Sequence, residues 1–174
     1  MLKKIFIILL ILTLPAAFLA AAGGWRVCGL SVTESGGSVL FSAPVPYGFR
    51  FTTSYIHSVE LTPVEDEYAV TGGRIWPWQE RVKSSNAGMP SLKPEHGLYI
   101  NSPEWLIFQG GRTASEQFFL RVGNDRFGRN KLVVPPFGEA SLFELYPGKR
   151  IAVAAAQGFF ANSKITKAQG LLTK

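Results

Sequence analysis

Hydrophobic and polar positions alternate with a period of two through most of this chain, the spacing of strands and not of helices. Residues 25–32 have strand composition, residues 34–37 read as a turn, and residues 38–42 read as a second strand, so the two form a hairpin. Pro44 and Pro46 interrupt, and Tyr47-Gly48 turns the chain. The clearest alternation follows. Phe49, Phe51 and Thr53 fall on one face, Arg50 and Thr52 on the other, and the apolar series continues through Tyr55, His57, Val59 and Leu61. A strand that long is expected to bend or to carry a bulge.

Further strands are expected at residues 68–70, 74–82, 97–100, 104–108, 117–122, 131–134 and 150–154. Pro77 implies an edge position or a bulge. Residues 117–122 and 131–134 flank a Gly-Asn-Asp turn segment and read as one hairpin with a longer loop. Residues 163–172 read as a short helix or a tail. No internal repeat and no long amphipathic helix interrupts this pattern. Many short strands punctuated by Gly and Pro predict an all-β fold, an antiparallel β-sandwich or a partly open barrel. The predicted division is a single domain over residues 25–156, with a tail at 157–174.

The N-terminus changes the picture of where this domain works. Lys3 and Lys4 precede an apolar stretch that runs from Ile5 to Leu19, followed by Ala20-Ala21-Ala22. Residues 1–22 therefore read as a signal peptide or a membrane anchor. Pro15 and the Ala-x-Ala pattern favour cleavage. Either way the domain is expected to be exported and periplasmic, or tethered to the inner membrane by residues 5–25. A lone cysteine, Cys28, excludes an internal disulfide framework and is expected to be a small buried hydrophobe.

About 150 exported residues suffice for one core. The net charge is +6, or about +4 without Lys3 and Lys4. Acidic residues concentrate before Glu104, and basic residues dominate from Arg112 onward. Arg121, Arg126, Arg129 and Lys131 lie close together around one expected turn. In an exported protein such a patch suits lipid headgroups, an acidic protein surface or an anionic ligand better than nucleic acid.

Chemistry is sparse. On a regular strand His57 shares the more apolar face with Tyr55, and its imidazole is either a hydrogen-bonded wall residue or a polar handle for an anion. His57 and Glu60 then point to opposite faces unless a bulge intervenes. Ser54 and Ser58 flank His57 too closely for nucleophile–base geometry, and no Gly-x-Ser-x-Gly elbow is present. Ser84 or Ser85 is left as a hydrolase nucleophile without specific support. Two histidines and one cysteine provide few nitrogen or sulfur ligands, so no metal and no cofactor is expected. The acidic trio Glu65, Asp66 and Glu67 reads as a solvated turn after Pro63. In the segment Asn86-Ala-Gly-Met-Pro90, Gly88 suits positive φ or close approach, and Pro90 keeps Met89 extended. Trp76 and Trp78 share a face, as core or as a membrane-facing rim.

Three elements then carry a resemblance: Tyr55-Ile-His-Ser-Val-Glu-Leu-Thr-Pro-Val64, Glu67-Tyr68, and Ala87-Gly-Met-Pro90. With Val122-Gly123, Asn130-Lys-Leu132, Leu142-Phe-Glu-Leu145 and Pro147-Gly148, they resemble the domain-of-unknown-function 1850 family. The likeness runs from about Ser31 to Val153. This chain has Asn86 and Met89 where members often read Gly-Ala-Gly-Leu-Pro. The resemblance implies a small exported bacterial protein, often encoded near TRAP transporters of the TAXI class. It marks His57, Ser58, Glu60, Pro63, Glu67, Gly88 and Pro90 as special positions; the candidate binding residues are Tyr55, His57, Ser58, Glu60, Glu67, Gly88 and Pro90, with no catalytic residue. The function it implies is that of a non-enzymatic accessory protein in solute uptake, partnered by the transporter membrane subunits or the TAXI solute receptor. The alternative is a small-anion or carboxylate binder with a pocket around His57.

Overall fold

The computed structural model describes residues 27–86 and 88–158. The expected signal or anchor at 1–22 and the tail helix at 163–172 lie outside the described residues. Strands are β1 (Val27–Glu34), β2 (Val39–Pro46), β3 (Phe49–Ile56), β4 (Pro63–Thr71), β5 (Arg74–Val82) and β6 (Gly97–Asn101). They continue as β7 (Leu106–Gly110), β8 (Gln117–Arg121), β9 (Gly128–Val134), β10 (Gly138–Ser141) and β11 (Arg150–Gln157). One helical turn, α1 (Leu142–Leu145), precedes β11.

The strands pair antiparallel into two sheets. A four-stranded sheet has the order β2-β1-β11-β8, and a seven-stranded sheet has the order β10-β9-β3-β4-β5-β7-β6. The predicted antiparallel sandwich is the observed architecture. Inward residues of both sheets form the core: Leu30, Val32, Ile151 and Val153 from one, Phe51, Tyr68, Val70 and Leu132 from the other. Phe51, Tyr68 and Phe118 stack in series, with ring centroids 4.9 Å and 4.6 Å apart, and join β3, β4 and β8 across the two layers. Each fully buried large side chain stabilises the fold by about 1.5–3 kcal/mol. Cys28 is buried in β1 and accepts a hydrogen bond from the Gly73 N–H.

Three sequence expectations change. Residues 117–122 and 131–134 do not form a hairpin. Strand β8 pairs with β11 in one sheet and β9 with β3 in the other, so the intervening loop crosses between layers. Both segments need an inward face, and the two layers supply one to each. Strand β2 runs through Pro44 and Pro46 instead of stopping. It is an edge strand, where a missing N–H costs no ladder bond. The long strand ends at Ile56. The His57 N–H donates to Thr62 O and the Leu61 N–H donates to His57 O, closing a turn that leads directly into β4.

The expected bulge at Pro77 is present. Glu67 pairs with Gln79 and Tyr68 with Pro77, which leaves Trp78 as the extra residue. Trp76 and Trp78 are 44% and 39% exposed and belong to no core. A second, smaller cluster of Val64, Val82 and Phe108 lies further along the seven-stranded sheet, with Tyr55, Met89 and Leu106 packed against it. Among the described residues no helix is long and apolar enough to cross a membrane.

Candidate functional site

The residues of the His57 segment gather at one end of the seven-stranded sheet. Ile56 pairs with Pro63 on one side and with Gly128 on the other, so the 57–62 turn sits beside the 123–128 loop. Strand β5 ends at the same level, and the loop that carries Gly88 leaves from Val82. Tyr55 and Met89 pack against the same small cluster, which ties the Gly88 loop to the base of the His57 turn.

His57 is the internal brace of its turn. Its Nδ1 accepts from the Glu60 N–H at 3.2 Å and from the Val59 N–H at 3.4 Å. The turn also bends the chain away from strand alternation, with Leu61 at φ 53°. Val59 and Leu61, expected on the apolar face, each stand 69% exposed. Ser58 is exposed and Glu60 half-buried. No hydrogen bond joins His57 to a serine among the described residues, and the Ser84 Oγ instead accepts from the Asn86 N–H.

In the second loop the Met89 N–H donates to Asn86 O across a tight turn. Gly88 has φ 84°, and nothing stands within 4 Å of where a Cβ would be, so the glycine serves this conformation and not a close approach. Pro90 is half-buried.

The acidic trio is not a solvated turn. All three residues lie in β4, and each meets an arginine. Glu67 is 2.6 Å from Arg50 and also accepts from the Gln79 side chain, which in turn accepts from Gln109. This polar ladder crosses β3, β4, β5 and β7. It holds Glu67 four residues along β4 from Pro63, roughly 13 Å from the His57 turn. Glu65 Oε2 lies 3.1 Å from Arg81 Nε.

Asp66 faces the interior on the Tyr68 side, directly across from Glu80. Arg112, on the segment that crosses from β7 to β8, bridges both carboxylates: Arg112 Nη1 is 3.2 Å from Asp66 Oδ1, and Nη2 contacts Glu80 Oε2. Burial pushes both carboxyls above their ordinary range, and the Arg112 guanidinium offsets only part of that. Burial also raises the Tyr68 hydroxyl, with the Asp66 charge adding to it and a hydrogen bond to Thr53 opposing it. The Tyr55 hydroxyl is raised by burial and then by the Asp66 and Glu80 charges. This inward cluster escaped the sequence reading, because three adjacent acids look solvated when their partners are distant in sequence. The available signal was Asp66 alternating with Val64, Tyr68 and Val70, a core-facing set.

The basic residues are carried on two sheets and the loop between them. Arg121 ends β8 in the four-stranded sheet, whereas Lys131 sits in β9 of the other, 3.9 Å from Glu139. Arg126 lies over the exposed Phe127 ring and Arg129 over Phe143. Asn124 Oδ1 accepts from the Arg126 and Phe127 N–H groups and fixes the loop that presents them.

A family model described as a domain of unknown function (DUF1850) matches residues 51–135. Residues 51–135 belong to this family. The matched DUF1850 segment spans β3 to β9 and contains the His57 turn, the Gly88 loop, the Asp66–Arg112–Glu80 cluster and the 123–128 loop. No curated protein and no solved structure matches the chain.

Among the described residues no group of three or more His, Cys, Asp or Glu side chains is placed to hold a metal ion. The sheet end carries a braced turn with two projecting apolar side chains, next to a loop bearing Arg126, Phe127 and Arg129.

Proposed function

We propose that this chain is a non-enzymatic, exported accessory protein that works by protein–protein contact at the 57–62 turn. The setting suggested by its family resemblance is solute uptake through a TAXI-type TRAP system, with a transporter membrane subunit or the solute receptor as partner. One observation carries the reading. The signature histidine is committed to holding a turn, while the residues that the turn projects, Val59 and Leu61, are apolar and 69% exposed. A rigid turn loses little entropy on docking, and apolar side chains at its tip gain most when a partner covers them.

The test is affinity capture of the tagged full chain from its own detergent-solubilised membranes. Wild type is expected to recover TRAP membrane subunits or the TAXI receptor, and a Val59→Ser/Leu61→Ser variant to recover at least tenfold less. Equal recovery by the two chains, or recovery of neither partner by wild type, would overturn the proposal.

A further inference from the structure

On the outer side of the four-stranded sheet, Arg121 of β8 and Arg150 of β11 are directly opposed across the antiparallel pair. Like charges in that position repel and destabilise the pairing. No acidic side chain lies within ion-pair distance of either guanidinium among the described residues. Arg150 is held in place, its guanidinium 3.8 Å from the centroid of the Phe119 ring. Lys149 precedes Arg150 in sequence, and its ammonium is 3.6 Å from Glu34, the one acid within ion-pair distance of it among the described residues. These side chains line a groove of about 500 Å³ with Ser35, Phe119 and Gly148. Three cations against one carboxylate leave two positive charges unbalanced.

An edge-guarding role accounts for Arg121 alone. β8 is an edge strand, where a cation discourages pairing with other chains. It does not account for Arg150, which sits on the inner strand β11 and is oriented by an aromatic ring. We propose that this groove binds a phosphate dianion, with Arg121 and Arg150 as a two-armed clamp and Lys149 as a supporting charge. Guanidinium forks match phosphate oxygens in geometry, and the charge of a phosphate dianion offsets the excess. The same chemistry is presented by inorganic phosphate and by a phosphomonoester lipid headgroup. The site is distinct from the His57 turn, and the proposal stands or falls independently of the contact function above.

Isothermal titration of the full chain in neutral detergent micelles, at constant ionic strength, tests it. One arm adds inorganic phosphate. A second adds short-chain phosphatidic acid, with short-chain phosphatidylcholine as its blank. Wild type is expected to bind in at least one of the first two arms, and which arm shows the tighter binding names the source. Arg121→Gln and Arg150→Gln are each expected to weaken that binding at least tenfold, whereas Arg126→Gln and Arg129→Gln, basic positions outside the groove, leave it within twofold. Absence of binding in both arms would overturn the site. So would an equal loss in the Arg126 and Arg129 variants, which would make the attraction one of diffuse charge.

Discussion

His57 shows how a residue conspicuous in a sequence can have a role that sequence does not specify. Its type and its place in a family signature were legible. Its role was not, because that role depends on two backbone N–H groups brought to Nδ1 only when the strand ends at Ile56. His57→Ala removes those bonds and is expected to cost about 1 kcal/mol of stability, read as a shift in the urea midpoint. Arg112 was invisible for the opposite reason, since its two partners lie 32 and 46 positions away. Arg112→Met is expected to destabilise the fold by roughly 3 kcal/mol, since it leaves Asp66 and Glu80 facing each other without a counter-charge. The same cluster sets a pH dependence. Both carboxyls are raised in the folded state, so the native chain holds more protons than the unfolded chain between the ordinary carboxylate range and their raised values. Stability therefore rises as pH falls from neutral through that window, and flattens below it. Denaturation midpoints measured across pH 4.5 to about 7.5 are expected to show this rise, and Asp66→Asn is expected to shrink it.

At the scale of elements, hydrophobic alternation located most strands and the hairpin of β1 and β2. It located the bulge through Pro77 because proline has one place in a ladder. It placed neither Asp66 nor the partners of β8 and β9. Alternation says which face of a strand is buried, but not which sheet that face belongs to, and a loop of turn residues can close a hairpin or cross a core equally well. The extra residue in β5 has a measurable part. Trp78 lies under the Arg50 guanidinium at 4.5 Å, and Arg50 in turn anchors the Glu67 ladder. Trp78→Ala is expected to cost about 0.5–1 kcal/mol in thermal or urea unfolding and to keep the fold. Deletion of Trp78 would remove the bulge while Gln79 stays opposite Glu67 and Glu80 opposite Asp66, and is expected to keep cooperative unfolding.

For the whole molecule, the two layers share a core built around the Phe51–Tyr68–Phe118 stack, and the 57–62 turn and the 123–128 loop lie side by side at one end of the seven-stranded sheet. We propose that this end, through Val59 and Leu61, meets a partner of the uptake system. The most direct measurement is photo-cross-linking in the native cell, with a photoreactive residue placed at position 59 and, in parallel, at position 76 on the exposed face of β5. Adducts with a TRAP membrane subunit or the TAXI receptor from position 59, absent from position 76, are the predicted result. No adduct with those partners from position 59, or the same adducts from both positions, would contradict the account.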